Sequence, residues 1–249
     1  IYLVNGAFSE RDLLARFNQN QQSFRQASTG VEAQGLVTSN ARVFTGAGGT
    51  YDVYAEITNP NEQWLAEFEY YFQSSRGDTE RRRGFALPRR TFYAVELSQG
   101  EGEGRPSTAQ LIVENIEWQR IKGVPGGDIE EWIQVREEFG ISGLSHGAAP
   151  QEGNQNITET NFTIQNNTAY SFWDVDLILF LRVGQTVVGV NKIRMPLIES
   201  NEIATQSVNW FANGSAGATP EVIPQLNIFD AEIYKDEEGR PTGEILERL

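Results

Sequence analysis

Apolar and polar residues alternate with a period of two along much of this chain. Tyr51, Val53, Ala55 and Ile57 alternate with Asp52, Tyr54 and Glu56. Trp64, Ala66, Phe68, Tyr70 and Phe72 alternate with Leu65, Glu67, Glu69 and Tyr71. Successive side chains on a strand point to opposite faces, so each run predicts a strand with one face on a core and one in water. Antiparallel sheets give this pattern, whereas strands of parallel sheets are covered on both faces and read as unbroken apolar runs. Strand-like composition over residues 34–44 precedes these runs. Further strands are expected over residues 90–97 and 109–121, with a hairpin breaker at Ser74-Ser-Arg-Gly-Asp78. Residues 129–139 read as a strand or a short helix. Beyond them, strands are expected over 161–165, 187–190, 201–210 and 225–234, and on another strand Trp173, Val175, Leu177, Leu179 and Leu181 form the inward face. Regular short strands separated by turn signals describe an all-β chain of antiparallel β-sandwiches.

The two halves echo one another. Ile57-Thr-Asn-Pro-Asn-Glu-Gln-Trp64 is answered by Ile164-Gln-Asn-Asn-Thr-Ala-Tyr-Ser-Phe-Trp173. The offset is 107 residues from Asn59 to Asn166, 108 from Pro88 to Pro196, and 112 from Ile116 to Ile228. A repeat of this length is a whole domain. The predicted order is an N-terminal arm or membrane-proximal segment over residues 1–28, a first sandwich over 29–141, a linker over 142–155 and a second sandwich over 156–249. The linker is placed on the small residues of Gly143-Leu-Ser-His-Gly-Ala-Ala-Pro150. Trp64 and Trp173, at matching positions, are expected as buried core anchors. In the arm, Ser9 is a candidate helix cap, and Leu13, Leu14, Phe17 and Phe24 form a loose apolar stripe. A helix this short is marginal alone in water, so the four residues are candidates for an anchoring or assembly contact. The opening Ile1-Tyr-Leu-Val4 fits the outer end of a membrane span as well as an ordinary terminus.

Charge and composition narrow the function. Acids outnumber bases 34 to 20 across 249 residues, for a net charge of −14. That disfavours nucleic acid and anionic lipid as partners. The chain has no cysteine and one histidine, His146, which removes thiolate chemistry and leaves no ligand set for zinc. It has no nucleophile elbow, phosphate loop or His-Glu-x-x-His. Gly46-Ala-Gly-Gly49 precedes a strand and reads as a turn. No catalytic, cofactor or metal residue is therefore assigned, and the chain is expected not to be an enzyme. Asp174 and Asp176 share a strand face and read as exposed carboxylates rather than a calcium site. Arg76, Arg81, Arg82, Arg83, Arg89 and Arg90 make a local positive patch, either a solvated hairpin or a docking surface for an acidic protein partner or another copy. Four Asn-x-Ser/Thr sequons begin at Asn156, Asn161, Asn166 and Asn213 and are candidate glycan acceptors.

Asn166-Asn-Thr168, followed by Asp174-Val-Asp-Leu-Ile-Leu-Phe-Leu-Arg-Val-Gly184-Gln-Thr-Val-Val-Gly-Val190, resembles the FxLYD-type immunoglobulin-like domains of bacterial membrane-anchored envelope proteins. The similarity spans residues 161–235 and reaches the first half through the repeat. Phe180-Leu-Arg-Val-Gly184 stands where the family writes a Tyr-Asp-x-x-Gly turn. Residues 2–12 resemble the segment after the membrane span in surface proteins of candidate-phylum bacteria. The resemblance implies two tandem immunoglobulin-like sandwiches in an extracytoplasmic, membrane-tethered, non-catalytic module. The expected function is a spacer, adhesion or assembly module. The alternatives are a carbohydrate-binding or carbohydrate-active protein, with a glycan as ligand, and a subunit of a surface filament or secreted assembly.

Overall fold

The computed structural model describes residues 32–100, 102, 104–149, 157–211 and 217–235. The expected arm, with Leu13, Leu14, Phe17 and Phe24, lies outside them. The fold is all-β with one α-helix among the described residues. The first half holds β1 (Val37–Thr38), β2 (Arg42–Thr45), β3 (Tyr51–Thr58), β4 (Trp64–Ser74), β5 (Gly77–Asp78), β6 (Arg82–Ala86), β7 (Thr91–Gln99) and β8 (Ala109–Arg120). The helix α1 (Ile129–Gln134) follows, capped by the Asp128 carboxylate, which accepts from the Glu130 and Glu131 backbone N–H groups. Then come β9 (Phe139–Ala148), β10 (Thr158–Asn166), β11 (Phe172–Val183), β12 (Thr186–Ile198), β13 (Ile203–Trp210) and β14 (Thr219–Gln225).

All pairings are antiparallel. Sheet I has β3 at its centre, with β1 and β2 along one edge and β7 along the other. Sheet II has β4 at its centre, between β5 with β6 and β8. In the second half β10 lies between β9 and β13 in sheet III, and β11 lies between β12 and β14 in sheet IV. The pairing order β2-β3-β7 with β6-β4-β8 is thus matched by β9-β10-β13 with β12-β11-β14. Phe72 sits opposite Leu111, and Leu181 opposite Pro220, so the offset across these strands is 109 on both members. The 112-residue match of Ile116 to Ile228 does not hold. Ile116 is exposed on β8, while Ile228 is buried beyond the end of β14. The strand expected over 225–234 likewise stops at Gln225. The Asn227 side chain accepts from the Phe229 N–H and turns the chain, and Asp230 caps a 3₁₀ turn over Ala231–Ile233.

Three apolar layers join the sheets in the order II–I–IV–III. Ala66, Phe68, Tyr70 and Phe72 of sheet II meet Val53, Ala55, Ile57 and Phe92 of sheet I. The other face of sheet I, with Tyr54 and Val95, meets Ile178, Phe180, Val187 and Val190 of sheet IV. The far face of sheet IV, with Leu177, Leu179 and Leu181, meets Phe162, Ile164, Val208 and Trp210 of sheet III. From Gly35 onward the chain forms one compact unit. Gly84 lets the first layer close: a Cβ there would lie 2.5 Å from the Phe68 ring and 3.1 Å from that of Phe92. Gly84→Ala is expected to cost about 1–3 kcal/mol by overpacking, read from a urea unfolding curve.

The layering corrects several positions expected in water. Tyr54 alternates with inward residues yet is buried, because sheet IV covers that face. Leu65 is buried against Leu87, Ile121, Val124, Trp132 and Ile133. Trp64 and Trp173 are half-buried rather than core anchors. Asp174 has a left-handed backbone (φ 53°), which breaks the alternation before Val175 and turns Phe172 inward in place of Trp173. The linker also moves. Residues 142–148 are part of β9 and pair with β10 from Ala148–Thr158 to Phe139–Asn166. Their small side chains lie on a strand beside a sheet centre, where composition alone reads as loop.

Candidate functional site

The junction of the two halves is the most elaborated feature of the described residues. Phe180 is fully buried, with its ring 5.0 Å from that of Tyr54 and 5.3 Å from that of Tyr93. Polar groups close the margin. The Tyr93 N–H donates to the Gln225 side chain at 2.7 Å, and Gln225 Nε2 donates back to the Tyr93 carbonyl at 3.4 Å. One amide side chain thereby takes both main-chain groups of Tyr93. Lys192 Nζ donates to the Val95 carbonyl at 3.4 Å, and Asn227 Nδ2 to Glu67 at 3.3 Å.

Two clefts flank this junction. One, of about 640 Å³, carries charges of both signs over an apolar floor that includes Tyr70 and Phe92. Burial pushes the Glu96 carboxyl in its wall up from the ordinary value, and the nearby cations Arg82 and Lys192 pull it back down. Asp176 is paired with Arg194 at 2.8 Å. The other cleft, of about 810 Å³, is lined by Phe44, Asn191, Asn209, Trp210 and Phe211, and its charged residues are Asp52 and Arg105. Phe211 is 60% exposed.

The arginine patch is dispersed into ion pairs. Arg81 meets Glu114 at 2.7 Å, Arg82 meets Glu80 and Glu96, Arg89 meets Glu62, and Arg90 meets Glu130 and Glu137 at 2.8 Å each. Arg76 lies in the β4–β5 turn, its N–H bonded to the Ser74 hydroxyl. Arg83 makes no ion pair among the described residues and projects beside Glu69, its partner across the β4–β6 ladder. These pairs are mostly exposed and each contributes little to stability. They do divide the positive charge among separate acids.

Asn59 and Asn166, the two asparagines 107 residues apart, are both buried fasteners. Asn59 is fully buried and donates to the Trp64 carbonyl at 2.6 Å and the Ala86 carbonyl at 2.8 Å, while its oxygen accepts from the Asn61 N–H. Asn166 is equally buried. It donates to the Tyr170 carbonyl at 2.7 Å and the Glu199 carbonyl at 3.0 Å, and accepts from both the N–H and the hydroxyl of Thr168. Asn59 ties the segment after its strand to the end of β6, and Asn166 ties its own to the loop after β12. Their recurrence in matching Asn-x-x positions was the available sequence signal. Asn166-Asn-Thr168 is therefore occupied by folding, and its amide has no room for a glycan. Asn161 lies on the outer face of β10, bonded to Glu159 at 3.0 Å. Asn156 and Asn213 lie outside the described residues.

His146, expected in a linker, sits on β9. Its Nδ1 lies 2.9 Å from the Thr160 hydroxyl, which also accepts from Trp210 Nε1 at 2.9 Å. The ring stands edge-on to Trp210. Burial holds its pKa below the ordinary value. The folded state thus favours neutral imidazole, so this contribution to stability is complete above the unfolded pKa of about 6.5 and is lost as pH falls through the folded value. Between pH 7 and 5.5, stability is expected to fall more in the parent chain than in His146→Gln, measured by denaturant titration at each pH.

No protein-family model matches the chain, and no curated protein matches it. Among solved structures, red sea bream transglutaminase aligns at 10% identity and a TM-score of 0.26, over 82% of this chain and 31% of that one. The chain thus spans about a third of that structure's length. The N-terminal CBM22-1–CBM22-2 tandem domain of Paenibacillus barcinonensis Xyn10C aligns at 9% identity and a TM-score of 0.15, over 79% of this chain and 88% of that one.

Proposed function

We propose that the chain is a non-catalytic spacer or assembly module of a cell envelope, built from two tandem immunoglobulin-like sandwiches and held outside the cytoplasm. The observation that carries this reading is the buried junction of Tyr54, Val95, Ile178, Phe180, Val187 and Val190. A spacer works by holding a fixed geometry, and a dry apolar contact resists the relative motion that is ordinary between linked domains. The repeated pairing order supports a tandem origin. The envelope location follows from the resemblance of residues 161–235 to FxLYD-type domains.

NMR relaxation tests the rigidity directly. Both halves are expected to tumble with one correlation time; two distinct times would sink the spacer reading. Fractionation of cells carrying the tagged gene product tests the location, and a cytosolic pool alone would overturn it. Turnover of any glycan or peptide that one carboxylate-to-amide change abolishes would overturn the non-catalytic part.

A second reading, glycan binding, is favoured by the 810 Å³ cleft, where exposed Phe211 and half-buried Phe44 lie beside Asn191 and Asn209. It requires a neutral oligosaccharide whose binding by calorimetry is lost in Phe211→Ala.

A further inference from the structure

Strand β13 is an uncharged sheet edge in a strongly acidic chain. It reads Ile203-Ala-Thr-Gln-Ser-Val-Asn-Trp210, with no charge, proline or glycine, and pairs with β10 in unbroken register from Gln165–Ile203 to Thr158–Trp210. Exposed edges are ordinarily blunted by charge, proline, bulges or cover. The other long edges here have such devices. β8 carries Glu114, Glu117 and Arg120 and a bulge where Asn115 is left-handed. β14 carries Pro220 and Pro224, β12 carries Lys192, Arg194 and Pro196, and β9 is bulged at Gly143. No strand meets the second edge of β13 among the described residues.

The hydrogen bonds show which groups that edge offers. The Asn166 N–H donates to the Glu202 carbonyl at 3.0 Å, so position 202 faces β10. Alternation then turns the even positions of β13 toward β10 and the odd ones outward. Asn191 Nδ2 reaches the Asn209 carbonyl at 3.2 Å from outside the sheet, as this parity requires. Thr205 and Ser207 therefore hold their N–H and C=O toward the open edge.

We propose that β13 pairs antiparallel with β13 of a second copy, around a twofold axis at Ser207. That register sets Ser207 against Ser207, Ile203 against Phe211, and Thr205 against Asn209, whose carbonyl would exchange the Asn191 amide for the Thr205 N–H. Ile203 and Phe211 are the two most exposed large apolar side chains among the described residues, at 64% and 60%. The twofold axis brings them together twice, at both ends of one continuous six-stranded sheet. A net charge of −14 opposes self-association over most of the surface, and β13, with no charge of its own, is where two copies meet with the least repulsion. The contact is isologous and closes at two copies. The rigid-spacer reading does not depend on it.

The absence of cysteine makes a clean test. Opposed residues of a hydrogen-bonded antiparallel pair have Cα atoms about 5.5 Å apart, within disulfide range. Ser207→Cys, which gives up only an exposed hydroxyl bond to Glu159, is expected to yield a covalent dimer on mild oxidation. Thr163→Cys, on the same face but one strand inward, is expected to yield none. Thr205→Pro removes an outward N–H and is expected to shift the sedimenting species from dimer to monomer with an unchanged circular dichroism spectrum. A parent chain monomeric at every concentration, a dimer that survives Thr205→Pro, or equal crosslinking at 163 and 207 would each overturn the proposal.

Discussion

Asn166→Ala is expected to lower stability by about 2–4 kcal/mol, because it removes four hydrogen bonds at about 0.5–1.5 kcal/mol each and leaves one buried N–H unpaired. The substitution orphans the buried N–H of Thr168 and takes one of two donors from each of the Tyr170 and Glu199 carbonyls, which keep the Thr168 hydroxyl and the Glu202 N–H. Asn166→Asp tests the same point by another route. The carboxylate keeps the acceptor but has no hydrogen for either carbonyl, so it also destabilises. Asn59→Ala acts alike in the first half, through the Trp64 and Ala86 carbonyls. Urea unfolding monitored by tryptophan fluorescence measures both. A loss under about 1 kcal/mol at Asn166 would mean that the loop stands without its fastener.

Phe180→Ala is expected to cost about 3–5 kcal/mol, as full truncation of a buried phenylalanine does. The informative comparison is with Leu177→Ala, expected at about 2–5 kcal/mol. Leu177 faces sheet III and belongs to the second half alone, whereas Phe180 faces Tyr54 and Tyr93 of the first. Leu177→Ala should leave one unfolding transition at lower urea. Phe180→Ala should split it in two, since the halves lose the layer between sheets I and IV. Equal loss without splitting would show that the halves are held chiefly by Gln225 and by the apolar cluster that groups Leu65, Leu87 and Ile121 with Leu226 and Phe229.

The period of two revealed the strands because most of them have one wet face. It misread Tyr54, Ile178 and Phe180, whose second faces are covered by contacts remote in sequence. The apolar run Leu177 to Leu181 was the sign of cover on both faces. Trp173 was misplaced by a single left-handed residue, Asp174, which no alternation rule contains. The β9 strand hid behind glycine and serine, since its place beside β10 comes from ladder hydrogen bonds rather than side-chain burial. The arginine patch was legible as charge, but its acids, such as Glu114 and Glu137, come from other strands and the helix region. The fasteners Asn59 and Asn166 stood in the two echoing segments, and only the geometry of their hydrogen bonds shows what each amide does.

Sheet IV, apolar on both faces, has a consequence for the order of events at the ribosome. Residues of sheet I emerge before those of sheet IV, so Tyr54 and Val95 are in place when Phe180 arrives. The first half then serves as a template on which β11 and β12 settle. Made without it, the second half would hold Ile178, Phe180, Val187 and Val190 against water, an apolar face of the kind that drives aggregation. Truncations that begin after residue 137, and so keep β9, should therefore collect in inclusion bodies, and adding the first half as a separate chain during synthesis should bring part of them into solution.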